Sequence, residues 1–269
     1  MRYLLLFLAF TFLACTDDPT TDSDDGVGTA IPDPNFSLQQ PTQITVTDAA
    51  GVLLRSYDLT YTGQQLTQVV TTGTQIDDQT ITLDYLQNNQ LSTLEVTDTA
   101  GMLIQECELL YTTQFVQIDC EVNAGMNTRT IIDVDQNNRI NFVEYNLRDM
   151  NAFIQDGTVE YRYGQNEDAN RIIIQNLDVA QNGDFALDYD VRNNPFLNVN
   201  ELVSQLLFRE LYPTGLHNPI TALNNAGTQD LILEYIYDDQ DFPIQVSVFN
   251  RMGNTQQLDY TVDYNYMTQ

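Results

Sequence analysis

Short apolar–polar alternations, each closed by a cluster of turn residues, recur along this chain at a near-constant interval. Ile81-Thr82-Leu83-Asp84-Tyr85 runs into Gln87-Asn88-Asn89-Gln90, and Leu231-Ile232-Leu233-Glu234-Tyr235-Ile236-Tyr237 runs into Asp238-Asp239-Gln240-Asp241. Period-2 patterning with Val, Ile, Thr, Tyr and Phe between polar turns specifies antiparallel strands with one buried face. Strand-end aromatics or their equivalents fall at Tyr61, Tyr85, Tyr111, Val134, Tyr161, Tyr189, Tyr237 and Tyr264, about 25 residues apart with one interval near twice that. An apolar residue then opens each return strand: Leu66, Leu91, Ile140, Ile172 and Ile244. A unit this long holds two strands and buries its apolar face only against its neighbours. The expectation is an all-β, repetitive antiparallel hairpin meander over residues 41–269. By this spacing it has about 14–18 strands, as a long twisted sheet or an open or closed barrel.

The doubled interval carries the exception. Val199, Leu202, Val203, Leu206, Leu207 and Leu211 are apolar at helical spacing, with Asn198 or Asn200 placed as N-cap and Pro213 as stop. One short amphipathic helix near 199–211 is expected to cover part of the apolar face, or to plug one end if the sheet closes.

The chain starts with Arg2, an apolar run from Tyr3 to Leu13, then Ala14 and Cys15. The run is too short to span a bilayer and has the layout of a secretory signal. Phe12-Leu13-Ala14-Cys15 resembles the lipobox of bacterial lipoproteins, with Phe12 where Leu is usual. That resemblance implies a signal over 1–14 and lipidation of Cys15, a lasting anchor if two or more acyl chains are attached. Residues 15–40 open with Thr16-Asp17-Asp18-Pro19-Thr20-Thr21-Asp22-Ser23-Asp24-Asp25-Gly26, acidic and without apolar periodicity, which reads as a disordered tether. Acidic residues after the lipidated cysteine look like the surface-export signal of Bacteroidota lipoproteins. The expected location is the outer membrane, at the cell surface.

Net charge is −28, and all ten basic residues are Arg. Such a field repels phosphate backbones, so nucleic acid is not an expected partner. Cys107 and Cys120 flank a reversal at Thr113-Gln114, which sets them opposite each other in a hairpin. In an exported protein they form a disulfide or remain as two buried thiols. Asp133, Asp135, Asn137 and Glu144 follow a calcium-loop spacing with Asn138 in the glycine place, so calcium is a candidate ligand. The same stretch is in phase with the hairpin repeat, where a polar turn is expected anyway, and an ordinary turn is the favoured reading. His217 is the only histidine, and the sequence displays no nucleophile elbow, CxxC or metal-ligand cluster. No enzymatic activity is expected.

Tyr189-Asp190-Val191-Arg192-Asn193-Asn194-Pro195-Phe196, a short helix, Asn218-Pro219-Ile220, and then Tyr235-Ile236-Tyr237-Asp238 with Phe242-Pro243-Ile244 resemble a Bacteroidota lipoprotein family. That family contains a domain of unknown function, built of YD-type hairpins and described as porin-like. The resemblance covers most of the chain after residue 40 and is most specific from 185 to 266. It implies a fold but no activity and no catalytic residues. The expected function is a surface-tethered binding module for an envelope or extracellular protein or glycan. The alternatives are a membrane-integrated barrel and, further off, a carbohydrate-active hydrolase.

Overall fold

A computed structural model of the chain describes residues 39–122, 127–136, 139–149, 152–164, 168–175, 182–211, 215–225 and 230–267, all within the unit Ser37–Gln269. The meander runs through sixteen antiparallel strands and closes into a barrel. Its first four hairpins are β1 (Pro41–Asp48) with β2 (Leu53–Thr62), β3 (Gln65–Gly73) with β4 (Gln79–Tyr85), β5 (Leu91–Asp98) with β6 (Leu103–Tyr111), and β7 (Phe115–Val122) with β8 (Thr128–Val134). The next four are β9 (Ile140–Asp149) with β10 (Ala152–Tyr163), β11 (Ala169–Gln175) with β12 (Gly183–Asn193), β13 (His217–Asn224) with β14 (Asp230–Tyr237), and β15 (Pro243–Met252) with β16 (Thr255–Tyr266). Each strand pairs with its sequence neighbours. Closure comes from β1 against β16, with Ile44 opposite Tyr264 and Val46 opposite Val262. Closing the sheet removes the open edges that would template aggregation.

The alternation seen in the sequence separates inside from outside. Ile44 and Val46 on β1, Tyr57 and Leu59 on β2, Val69 on β3, Ile81 and Leu83 on β4, and Leu94 and Val96 on β5 are all buried on one shared face. Their strand neighbours point outward, and a one-residue slip would exchange the two sets.

Two rims result. At one, each even strand hands over to the next odd strand; this tyrosine rim also receives the chain at Pro41 and releases it at Tyr266. Six tyrosine hydroxyls donate to backbone carbonyls there: Tyr61 to Pro41, Tyr85 to Leu66, Tyr111 to Leu91, Tyr163 to Ile140, Tyr235 to Pro219 and Tyr266 to Pro243, at 2.7–3.0 Å. Bulges recur beside several of these tyrosines, between Thr60 and Tyr61, Asp84 and Tyr85, and Arg162 and Tyr163. A bulge leaves an unpaired residue in the ladder. Thr67 and Ser92 fill that place and pin it, donating to the carbonyls of Thr60 and Asp84. The structure departs from the sequence reading at three of the eight strand ends: β10, β12 and β16 run on past Tyr161, Tyr189 and Tyr264 to Tyr163, Asn193 and Tyr266. Tyr163 and Tyr266 make the rim bonds of their strands, and Tyr235 makes that of β14 although Tyr237 ends the strand as expected. Side chains two residues apart share a face, and the position of the turn decides which of the two reaches the rim. Ile244 is likewise the bulged residue between Ile236 and Tyr237 and is 40% exposed, so Pro243 opens β15 instead.

The helix α1 (Glu201–Phe208) continues into a 3-10 turn, Arg209–Leu211. Asn200 is its N-cap, its side-chain oxygen accepting from the Val203 amide, and Glu201 sits in the first turn where the helix dipole favours an anion. The helix lies in the lumen, because it touches facing walls. Phe208 meets Tyr57 of β2 edge-on at 5.5 Å, and Phe196 meets Tyr264 of β16 at 6.3 Å. On the other side Tyr161 of β10 donates to Gln205 Oε1 at 2.8 Å, and Arg209 lies over the Tyr145 ring of β9. A sixteen-stranded barrel has room for a channel; here the helix occupies part of the lumen.

Candidate functional site

The segment that carries the plug leaves β12 at the tyrosine rim and returns there to start β13. The residues that distinguish this stretch in the sequence gather at its two ends. The Asp190 carboxylate accepts from the Arg192 amide at 2.9 Å, from the Asn218 amide at 3.1 Å and from the Tyr237 hydroxyl. Asn218, 1% exposed, donates through its side-chain amide to the carbonyls of Arg192 and Asn193. Arg192 pairs with Asp241 and covers the Tyr237 ring at 4.7 Å. Burial, and then the hydrogen bond and charge of Asp190, push the Tyr237 phenol far above its usual range. Asp168, at 7% exposure, takes the other end: it accepts from the amides of Leu216 and His217 at 2.7 and 3.1 Å and faces His217 Nδ1 at 2.6 Å. Gly215 has φ +100°, and a Cβ there would stand 2.3 Å from Asp168 Oδ1, so only glycine fits.

The root of the barrel joins the same assembly. Asn198 donates to the Gln39 carbonyl at 2.9 Å, and Gln40 reaches both the Gln64 and Asn198 carbonyls. The carboxylates of this cluster are bound to backbone amides and to one another's partners. It is arranged to hold a segment, and His217 is a member of the clamp.

Cys107 and Cys120 stand directly opposite on β6 and β7, with Cα atoms 4.0 Å apart and their sulfurs in contact. Both are buried on the lumen side. Cys15 and Asn137 lie outside the described residues. Asp133 and Glu144 come to the outer face of β8 and β9, and burial followed by the Glu144 charge raises the Asp133 carboxyl above its usual range. Asp135 is committed elsewhere: one oxygen accepts from the Arg139 amide at 3.0 Å and the other from its guanidinium. Its loop is closed by the Asp135 amide on the Arg139 carbonyl, as are those of Asp48 on Val52, Asp98 on Met102 and Asp238 on Phe242. The calcium-like spacing thus coincides with the repeat's own five-residue turn. Among the described residues no three His, Cys, Asp or Glu side chains gather as a metal group.

The outer wall has a definite arrangement. Asp58, Glu95, Glu106, Glu108, Asp188, Glu234 and Asp259 are exposed in the middle stretches of β2, β5, β6, β12, β14 and β16. Among the described residues, every large apolar side chain on the exposed surface lies in a turn, just beyond β16, or within three residues of a strand end. The sequence reading missed the turn tips Val52 and Met102, although the shared pattern Val-Thr-Asp-x-Ala-Gly-x-Leu at 46–53 and 96–103 announces both.

No family model matches the chain, and no curated protein does. Among solved structures it is similar to a porin-like protein from Bacteroides uniformis ATCC 8492, at 10% identity and a TM-score of 0.57, over 84% of this chain and 98% of that one. A porin-like protein from Bacteroides vulgatus ATCC 8482 aligns at 15% identity and a TM-score of 0.40, over 86% of this chain and 100% of the other. The first likeness establishes a shared barrel fold.

Proposed function

We propose that this chain is an outer-membrane lipoprotein, tethered through Cys15 and facing the cell surface, whose plugged barrel is a non-enzymatic interaction module held outside the lipid. The distribution of outward side chains carries this reading. A barrel that spans a bilayer needs an apolar band about 25 Å tall at mid-height on its outer face. This barrel exposes carboxylates in the middle stretches of six strands, has its large exposed aliphatic side chains in turns or near strand ends, and turns its buried apolar cluster inward. The lipobox-like start and the acidic tether support the anchor.

The test is expression of the chain from residue 27 onward without detergent. The proposal expects a soluble monomer that produces no conductance in planar bilayers; a product that dissolves only in detergent and conducts would sink it. Protease shaving of intact cells, with lysed cells as control, decides the orientation. The likeness to a protein named porin-like favours a second reading, in which the barrel is membrane-integrated, and the same two measurements decide between them.

A further inference from the structure

We infer that the rim opposite the tyrosines, across the hairpins β1–β2, β3–β4 and β5–β6, is a docking groove for a partner protein segment that carries a basic side chain between aliphatic ones. The inference deepens the reading of the barrel as an interaction module and does not depend on the lipid anchor. Two turns frame the groove. In the first, Asp48 Oδ1 accepts from the Ala50 and Val52 amides at 2.9 and 2.8 Å, and Gly51 adopts φ +79°. In the second, Asp98 does the same for Ala100 and Met102, at the same distances, with Gly101 at φ +78°. Each turn therefore presents an aliphatic tip in a fixed geometry: Val52 is 51% exposed and Met102 67%, with Leu53 and Leu103 beside them at 39%.

Between the turns lies the β3–β4 loop, which is fastened towards β2 by Thr74 donating to the Leu53 carbonyl and by the Gln75 amide donating to the Leu54 carbonyl. It encloses an open depression of about 700 Å³, lined by residues 73–79, with Asp77 and Asp78 exposed in its wall. Two aliphatic tips thus flank an acidic hollow.

Charge selects the occupant. Across the groove's six strands, residues 41–111, nine residues are acidic and one, Arg55, is basic, with its Nε buried. On the wall below the groove Glu95 stands opposite Glu106, Glu106 opposite Glu121, and Glu108 opposite Asp119. Like charges facing across strands are destabilising, and here Arg129 answers only Asp119. On the rest of the barrel the pattern is different, with Arg171 on Asp184 and Arg251 on Asp230. A second copy of the chain brings the same negative field, and so does the acidic stretch 16–26. A cationic segment with aliphatic neighbours matches both the hollow and its two walls.

The experiment uses the purified barrel and three labelled synthetic peptides of equal length: alternating Leu and Arg, alternating Ser and Arg, and alternating Leu and Glu. Anisotropy at near-physiological salt is expected to show binding of the first only. Val52→Ser combined with Met102→Ser, and separately Asp77→Asn, are each expected to weaken that binding about tenfold, as removal of an interface anchor does. All three positions are exposed, and an unchanged thermal midpoint verifies that the variants fold. The inference fails if the Ser–Arg peptide binds equally well, since diffuse charge then suffices, or if neither variant changes the affinity. It also fails if phosphatidylcholine vesicles, rather than the peptide, are bound in a Val52- and Met102-dependent way. Absence of any binding by a soluble monomer overturns the groove alone and leaves the proposed function standing.

Discussion

At the tyrosine rim one hydroxyl serves two purposes. Tyr85 donates to Leu66, and Tyr111 to Leu91, so each bond satisfies a carbonyl beside a bulge and ties one turn to the next. Burial, with Tyr111 adding to it, pushes the Tyr85 phenol up to about 12. Tyr111→Phe keeps the ring and orphans the Leu91 carbonyl, and chemical denaturation should show a loss of about 1–3 kcal/mol. A loss no larger than that of an exposed substitution such as Thr113→Val would remove the hydroxyl from any structural role. The recurrence of aromatics at this rim was legible in the sequence. Which tyrosine of a pair such as Tyr161 and Tyr163 bonds the rim was not, because both lie on the inward face and the bulge decides the reach.

Elements add contacts that single strands lack. The plug inserts Phe208, 1% exposed, between Phe196 and Tyr57. Phe208→Ala leaves a cavity where the side chain cannot be replaced by collapse of a closed wall, and should cost about 3–5 kcal/mol in equilibrium unfolding. A cost below that of an exposed-site change would mean that the helix is not seated in the lumen. The β6–β7 hairpin offers a second test. If Cys107 and Cys120 are bonded in the purified protein, replacing both by Ala should lower stability by about 3 kcal/mol, the chain-entropy value for a loop this short. The thiols should also resist alkylation in the folded, unreduced chain. Rapid modification of both without denaturant would rule out the bond. The helix and the cysteine register were readable from spacing. The role of Asp135 was not: its calcium-like pattern and its turn pattern use the same residue types, and only the position of Arg139 shows where the carboxylate is spent.

Taken whole, the barrel keeps its phenols out of water. Burial is the first cause of a raised pKa at Tyr61, Tyr85, Tyr111, Tyr163 and Tyr266 on the rim, and at Tyr57, Tyr161 and Tyr264 deeper in. A tyrosine in the unfolded chain ionises near 10, whereas these stay protonated in the fold. Their contribution to stability is complete below pH 10 and is lost as the pH rises above it. Tyrosinate absorbance should therefore rise mainly in one cooperative step that coincides with the loss of β-sheet circular dichroism. Gradual ionisation near pH 10 with the sheet intact would contradict the packing described.

The sequence alone determined the elements. Period-2 alternation, turn residues every dozen positions and one stretch at helical spacing are local properties, and local sterics and burial convert them directly into sixteen strands and one short helix. Closure is not local. Nothing in β1 or β16 names the other as partner; their pairing depends on the twist and tilt summed over all the intervening strands. The placement of the helix inside rather than on top follows from that closure, since its apolar face then meets two walls at once. The exposed carboxylates of β2, β5, β6, β12, β14 and β16, read from the sequence only as net charge, came to share an outer wall only when the strands were aligned side by side. Residues such as Asp190, Asn218 and Tyr237, separated along the chain, became one clamp for the same reason.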